Sequence, residues 1–219
     1  MSMITPWGYT LTGDQTLTDF LTPFEFNAFT ANKFQFDTRI GANIPSATAA
    51  IRNYCGWHIS PNLECEMVYN MRDLRDSFVG PDLLIQLPAT FVTSIEKIVL
   101  GAVWNEQAAT WDGVLVDAND IDLSPSGLLR IFDAPGYDRK AKIYIKYNAG
   151  YPDDQIGVIK ELTAHRVTHA VTSSYGVMSE AAGGVSVTYN ASWAGNTRST
   201  ALPDDNREVL EPYRVKGVF

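Results

Sequence analysis

His165 and His169 stand four residues apart in a stretch of helical period, a spacing at which one helix face offers two imidazoles to a single metal ion. Position 166 is Arg, whose charge opposes a cation, and the Glu that commonly lies within such a pair is missing, with no third ligand nearby. A solvent-facing or interface role suits the pair better than a metal-dependent enzyme. Asp117, Asn119, Asp120 and Asp122 have the oxygen density of a calcium loop but not the glycine and distal Glu of an EF-hand register, which leaves a solvated acidic turn. Ser124-Pro125-Ser126-Gly127 does not fit a nucleophile elbow and reads as a turn. Gly183-Gly184 lacks the Lys-Ser/Thr of a phosphate-binding loop and follows a helix where such a loop would precede one. His58 has no Ser or Cys beside it in a catalytic arrangement. Cys55 and Cys65 are too few for a disulfide framework and lack metal-type spacing, so reduced, partly buried thiols are expected, a single bridge being the alternative. The expectation is a protein with no cofactor, no metal and no catalytic residues.

The elements that would carry these residues follow from periodicity. Residues 1–42 are rich in Thr, Phe and Asn and have little helical period, so they read as an extended N-terminal arm. Its phenylalanines, Phe20, Phe24, Phe26, Phe29, Phe34 and Phe36, need a partner on the protein's own core or on another chain. Pro45 suits a first helical turn, Ile44, Ala47, Ile51 and Tyr54 share a face, and Gly56 offers a stop, which predicts a helix over about 45–55. Leu63, Cys65, Met67 and Tyr69 then alternate with Glu64, Glu66 and Val68, the period of a half-buried strand. Strand-like runs follow at 83–87, 92–100, 113–116, 128–132 and 142–147, punctuated by Gly, Pro, Asn and Asp, which argues for a small antiparallel barrel or sandwich. A long amphipathic helix is predicted over about 155–180, with Asp153 and Asp154 at its start and Gly183-Gly184 beyond its end. A strand over 185–189, a polar loop over 190–200 and a short helix after Pro203 complete the chain.

These elements imply an α+β class: a small bundle of α-helices, with a β-rich insertion between the first main helix and the long helix. The expected parts are the arm at 1–42, a helical core from 43–62 and 151–189, the β-rich insertion at 63–150 and a C-terminal docking segment at 190–219. With 219 residues, 45% of them hydrophobic and 19% charged, the chain can bury a real core without disulfide or metal staples. No stretch approaches the length that spans a bilayer. The opening Met1-Ser2-Met3-Ile4-Thr5-Pro6 lacks the basic and apolar regions of a signal peptide, so a protein that stays where it is made, with no membrane partner, is expected. The formal charge is −8, and residues 61–150 hold 13 acidic and 8 basic groups, so tight sequence-independent binding to DNA is not expected.

Three segments, taken in order, resemble a known family. Ile44-Pro45-Ser46-Ala47-Thr48-Ala49-Ala50-Ile51-Arg52-Asn53-Tyr54-Cys55-Gly56-Trp57 is similar to a first main helix in which Ala-Ala-Ile is followed by Tyr-Cys-Gly. Ile143 to Pro152 resembles a strand followed by the Ala-Gly-Tyr-Pro that leads into the long helix. Ser179-Glu180, Gly184 to Tyr189 and Leu210-Glu211-Pro212-Tyr213-Arg214 resemble the close of such chains. The pattern, spanning about 43–216, is that of the head-to-tail connector, or head completion adaptor, proteins of long-tailed bacteriophages and related gene-transfer particles. The long arm and the large β insertion depart from it.

The resemblance implies a structural virion protein. It would form a homo-oligomeric ring, most often a dodecamer, in the neck between portal and tail or stopper protein, with DNA passing through the lumen and assembly taking place in the host cytoplasm. A closed ring of identical copies needs heterologous faces, so exposed apolar surface is expected. An acidic lumen would let the duplex slide without phosphate contacts. The expected subunit interface is the long helix, through Ile159, Glu161, His165, Arg166 and Val167. The expected portal-docking residues are Leu210, Tyr213, Arg214, Val215 and Phe219. Two other readings compete: a carbohydrate- or receptor-binding β module using Trp104 and Trp111, and a metal-dependent enzyme built on His165 and His169.

Overall fold

The alternation that begins at Leu63 does become a strand, and it lies inside the larger of two antiparallel sheets. A computed structural model of the chain describes residues 3–13, 15–35, 37–134, 141–172, 179–182, 185–188 and 204–215, with backbone alone at 75, 179–182, 185–188 and 204–206. The chain divides into two compact units.

The first unit comprises Met1–Leu17, Gly56–Gln155 and Tyr213–Phe219. Its strands are β1 (Met3–Ile4), β2 (Thr10–Leu11), β3 (Leu63–Asn70), β4 (Phe78–Val79), β5 (Asp82–Gln86), β6 (Val92–Asn105), β7 (Thr110–Leu115), β8 (Ile121–Leu123), β9 (Leu128–Ile131) and β10 (Lys142–Ala149). One sheet has the order β1-β2-β3-β10-β6-β7 and the other β4-β5-β9-β8. In the first, Ile145 lies opposite Met67 and Ile98, and Tyr147 opposite Cys65 and Ile95, so residues of one parity form a continuous row. Ile143, Ile145 and Tyr147 of that row are fully buried, as are Leu83, Ile85, Leu129 and Ile131 of the second sheet. The Tyr69 hydroxyl donates to the Gln86 carbonyl at 3.1 Å and ties β3 to β5. On the opposite face of the first sheet the strands carry charge, with Lys146 pairing Glu64 at 3.0 Å.

Aromatic rings close one end of this unit. Tyr151 stacks on Phe91 with ring centres 4.4 Å apart and also meets Trp57 and Tyr213. The Trp57 indole donates to the Tyr213 carbonyl at 2.6 Å. Gly150, just before this hub, has φ +126°, and a Cβ there would collide with the Pro61 carbonyl. The Ala-Gly-Tyr-Pro run therefore has a steric reason for its glycine.

The second unit comprises Thr18–Cys55 and Ile156–Pro212. It holds α1 (Pro23–Phe29), α2 (Arg39–Cys55), α3 (Gly157–Thr172), α4 (Asp204–Leu210) and a hairpin of β11 (Ser179–Ala182) and β12 (Val185–Thr188). Thr22 caps α1 in a capping box with Glu25, and Pro23 sits in its first turn. Lys160 reaches Glu25 at 2.8 Å; together with the Thr22 backbone N–H it holds that carboxyl at a pKa of about 2, below its ordinary 4.5. Leu21, Phe26, Ile40, Ile44 and Ala47 pack against Ala164, Val167 and Val171 of α3. Arg52, buried in α2, donates to the Thr18 carbonyl at 2.7 Å and lies over the Phe20 ring.

The expected small helical bundle with a β insertion is overturned: the protein is β-rich, with antiparallel sheets of six and four strands as its main body. The error came from the chain's start. β1 and β2 are two residues each, too short to show a period of two, yet Thr10 and Leu11 pair with Glu66 and Cys65 and extend the large sheet. The stretch read as an arm also carries α1. The long helix predicted over 155–180 ends its described course at Thr172, and Ser179 and Glu180 lie in β11. Asp153 and Asp154 sit in a separate 3₁₀ turn. The first main helix starts at Arg39, with Pro45 inside it, because Ile40 and Ile44 bury on the same core as Ala47 and that burial outweighs one lost backbone bond. The Asp37 carboxylate accepts the Arg39 N–H at 2.8 Å at this start.

Candidate functional site

The residues expected to form the subunit interface divide by burial. Ile159 and Val167 are fully buried, Val167 within the core of its own unit, whereas Glu161 and His165 are exposed and Arg166 is half-buried. Helical period accounts for this, since 159, 163 and 167 share the buried side of α3 while 161, 165 and 172 point away from it. Burial lowers the pKa of Arg166, and no carboxylate pairs with it among the described residues. The pKa of His169 is also lowered, first by burial and then by the charges of His165 and Arg166.

The expected docking residues lie in both units. Leu210, at the end of α4, is buried in the second. In the first, Val215 is buried, Tyr213 is held by Trp57 and Tyr151, and Arg214 is exposed. Phe219 lies outside the described residues, as do the loop at 190–200 and Phe36. Glu211 of the second unit accepts from the Tyr54 hydroxyl at 3.2 Å.

The chemistry-bearing residues are structurally occupied. His58 is fully buried; its Nε2 faces the Ala149 carbonyl at 2.9 Å, which requires a proton on Nε2, and Nδ1 then accepts from the Tyr9 hydroxyl at 2.6 Å. Asp117 accepts from the Asn119 backbone at 2.9 Å and starts a 3₁₀ turn. Cys55 and Cys65 are free and buried, and burial pushes the Cys65 thiol up to about 12. Among the described residues no three His, Cys, Asp or Glu side chains are grouped to hold a metal ion.

Several large apolar side chains are exposed. Phe24 and Phe29 of α1, Val158 of α3 and Val209 of α4 stand out on the second unit. On the first, Val103, Trp104, Val114 and Leu115 do so on the β6–β7 hairpin. Trp111 stacks on Tyr144 with centres 5.5 Å apart and meets Trp104 edge to face. A family model of head completion proteins matches residues 19–215. The chain belongs to the head completion protein family. The match runs from just before α1 past Tyr213, so it takes in the three resembling segments and both units. No curated protein matches the sequence. A head completion protein is a structural protein of the phage particle, located in the virion and interacting with head and tail components. Among the described residues no helix is long and apolar enough to cross a membrane.

The hairpin is hidden in the sequence because the strand signal stops at Leu100 and resumes only at Gly113. Trp104 and Trp111, facing each other across the tip, were the signal that could have joined the two runs.

Proposed function

We propose that this head completion protein forms a ring adaptor of identical copies, dodecameric by resemblance to its family, seated in the neck between the portal and the tail or stopper protein. The observation that carries the reading is the family match over 19–215. Exposed Phe24, Phe29, Val103, Trp104 and Leu115 support it, since a closed ring needs unlike apolar faces on each copy. The outward face of α3, with Glu161, His165 and Arg166, is the proposed contact with one neighbouring copy, and buried Ile159 and Val167 hold that face in shape. The C-terminal segment is the proposed portal contact: Arg214 is its exposed group, Phe219 is assigned with it, and Leu210, Tyr213 and Val215 anchor it. Exposed Asp117, Asp120 and Asp122 are the proposed channel-facing carboxylates that let DNA pass.

The test is the mass of the full chain alone and mixed with its portal protein. A monodisperse multimer, or a stoichiometric complex with the portal ring, supports the reading. A monomer that stays monomeric with the portal present refutes it. Submicromolar, strongly salt-dependent binding of duplex DNA would refute the passive channel.

A further inference from the structure

The β6–β7 hairpin is apolar on both of its faces. Val103, Trp104, Val114 and Leu115 are 67%, 47%, 56% and 65% exposed. Trp104 lies opposite Trp111, and Leu115 opposite Val99, beside Tyr144. Val103 lies opposite Asp112, and Val114 opposite Leu100, on the other side. β7 is also the edge strand of its sheet, and its sequence from Thr110 to Leu115 has neither the Lys nor the Pro that commonly blunts a free edge. Apolar surface exposed in this way marks a docking site.

Charge selects the partner. On the Val103 side and at its tip the hairpin carries Asp112 and Glu106, while Lys142 lies over the Trp111 ring on the other side. Two hairpins meeting about a two-fold axis would bring like charge to like charge, so the contact must be with a different and positive surface. The same chain carries one: α3 has no acidic residue from Leu162 to Thr172, and Arg166 stands there half-buried with no carboxylate among the described residues, between His165 and His169. A guanidinium in that setting gains most from a carboxylate delivered by another molecule.

We propose that the hairpin of one copy docks on the Arg166 face of α3 of the next copy, with Val103 and Val114 supplying apolar contact and Asp112 on the same side, with Glu106 at the tip, supplying charge. The inference rests on the ring reading above and names both halves of its heterologous contact. A photoreactive residue replacing Val103 in the full-length chain, followed by digestion and mass spectrometry of the assembled protein, reads the contact directly. Cross-links to the 157–172 peptide of another copy are expected. Cross-links only to a second hairpin, or only to other segments of a ring, overturn this contact while the ring reading stands; a parent protein that never multimerises removes the ring itself. In parallel, E106K/D112K and R166E should each raise the concentration for half-assembly by at least about tenfold. Their combination in one chain should restore assembly to within about threefold of the parent. Each variant monomer should keep the parent's circular dichroism. Failure of the combined variant to recover, with its monomers folded, refutes the pairing.

Discussion

Two buried tyrosines in the first unit make opposite predictions for the same change. The Tyr9 hydroxyl donates to His58 Nδ1 and accepts the His58 backbone N–H at 3.0 Å, in a site closed to water. Tyr9→Phe takes that hydroxyl away from two buried polar groups at once. Each loss costs about 1–3 kcal/mol, so a total of about 2–4 kcal/mol is expected once partial relaxation is allowed. The Tyr147 hydroxyl is equally buried but has no hydrogen-bond partner among the described residues. Burial has already stripped its water, so Tyr147→Phe should be neutral or stabilising by about 1 kcal/mol. Urea unfolding of both full-length variants, followed by tryptophan fluorescence at low protein concentration, gives the comparison as midpoint shifts at a common slope. Equal losses for the two variants, or a Tyr147→Phe loss above about 1 kcal/mol, would show that ring packing rather than hydroxyl satisfaction governs these sites.

Other perturbations follow from single contacts. The Glu25 carboxyl, lowered to about 2 in the folded chain, contributes stability that is complete above its ordinary 4.5 and lost as pH falls toward 2. Glu25→Gln should remove that acid-dependent part, worth about 1 kcal/mol for a pair whose carboxylate is 35% exposed, as read by unfolding midpoints at pH 7 and pH 3. Gly150→Ala should destabilise by at least about 2 kcal/mol or prevent folding, because the positive φ and the Pro61 carbonyl both exclude a methyl; a parent-like melting curve would contradict this. Val167→Asp should cost several kcal/mol through its own unit's core, and the defect should be visible in the monomer before any assembly. Arg214→Glu should weaken portal binding, as read by co-sedimentation with the portal ring, whereas deleting 201–219 would also remove the Leu210, Tyr213 and Val215 packing and disturb the fold.

The strands that showed plainly in the sequence are those with a long half-buried alternation, such as β3 with Leu63 and Cys65 against Glu64 and Glu66, and β10. Among the strands that do not show are β1 and β2, a pair placed by β2's pairing with Glu66 and Cys65 more than fifty residues away. The start of α2 was hidden for a related reason. Pro45 is a local signal for a first turn, but Ile40 and Ile44 find their burial on α3, more than a hundred residues on. At the candidate surfaces, sequence pointed to α3 and could not sort its faces: Val167 and His165 look alike as members of one periodic helix until packing buries the first and exposes the second. The hairpin escaped notice because exposed apolar residues in a strand give no polar alternation to read.

The interleaving of the two units has a consequence for how the protein is made. The sheet that takes in Thr10 and Leu11 belongs to a unit that also takes in Tyr213, while nearly all of the second unit is synthesised between the halves. A nascent chain can form the β3–β10–β6 centre as soon as Ala149 has emerged, but the Trp57 indole must wait for the Tyr213 carbonyl, 156 positions after Trp57 itself. Until then the aromatic hub is open and its rings are wet. Closure of that hub thus reports that synthesis has passed Tyr213, and copies interrupted before it carry a visible defect in the sheet unit instead of passing as competent parts.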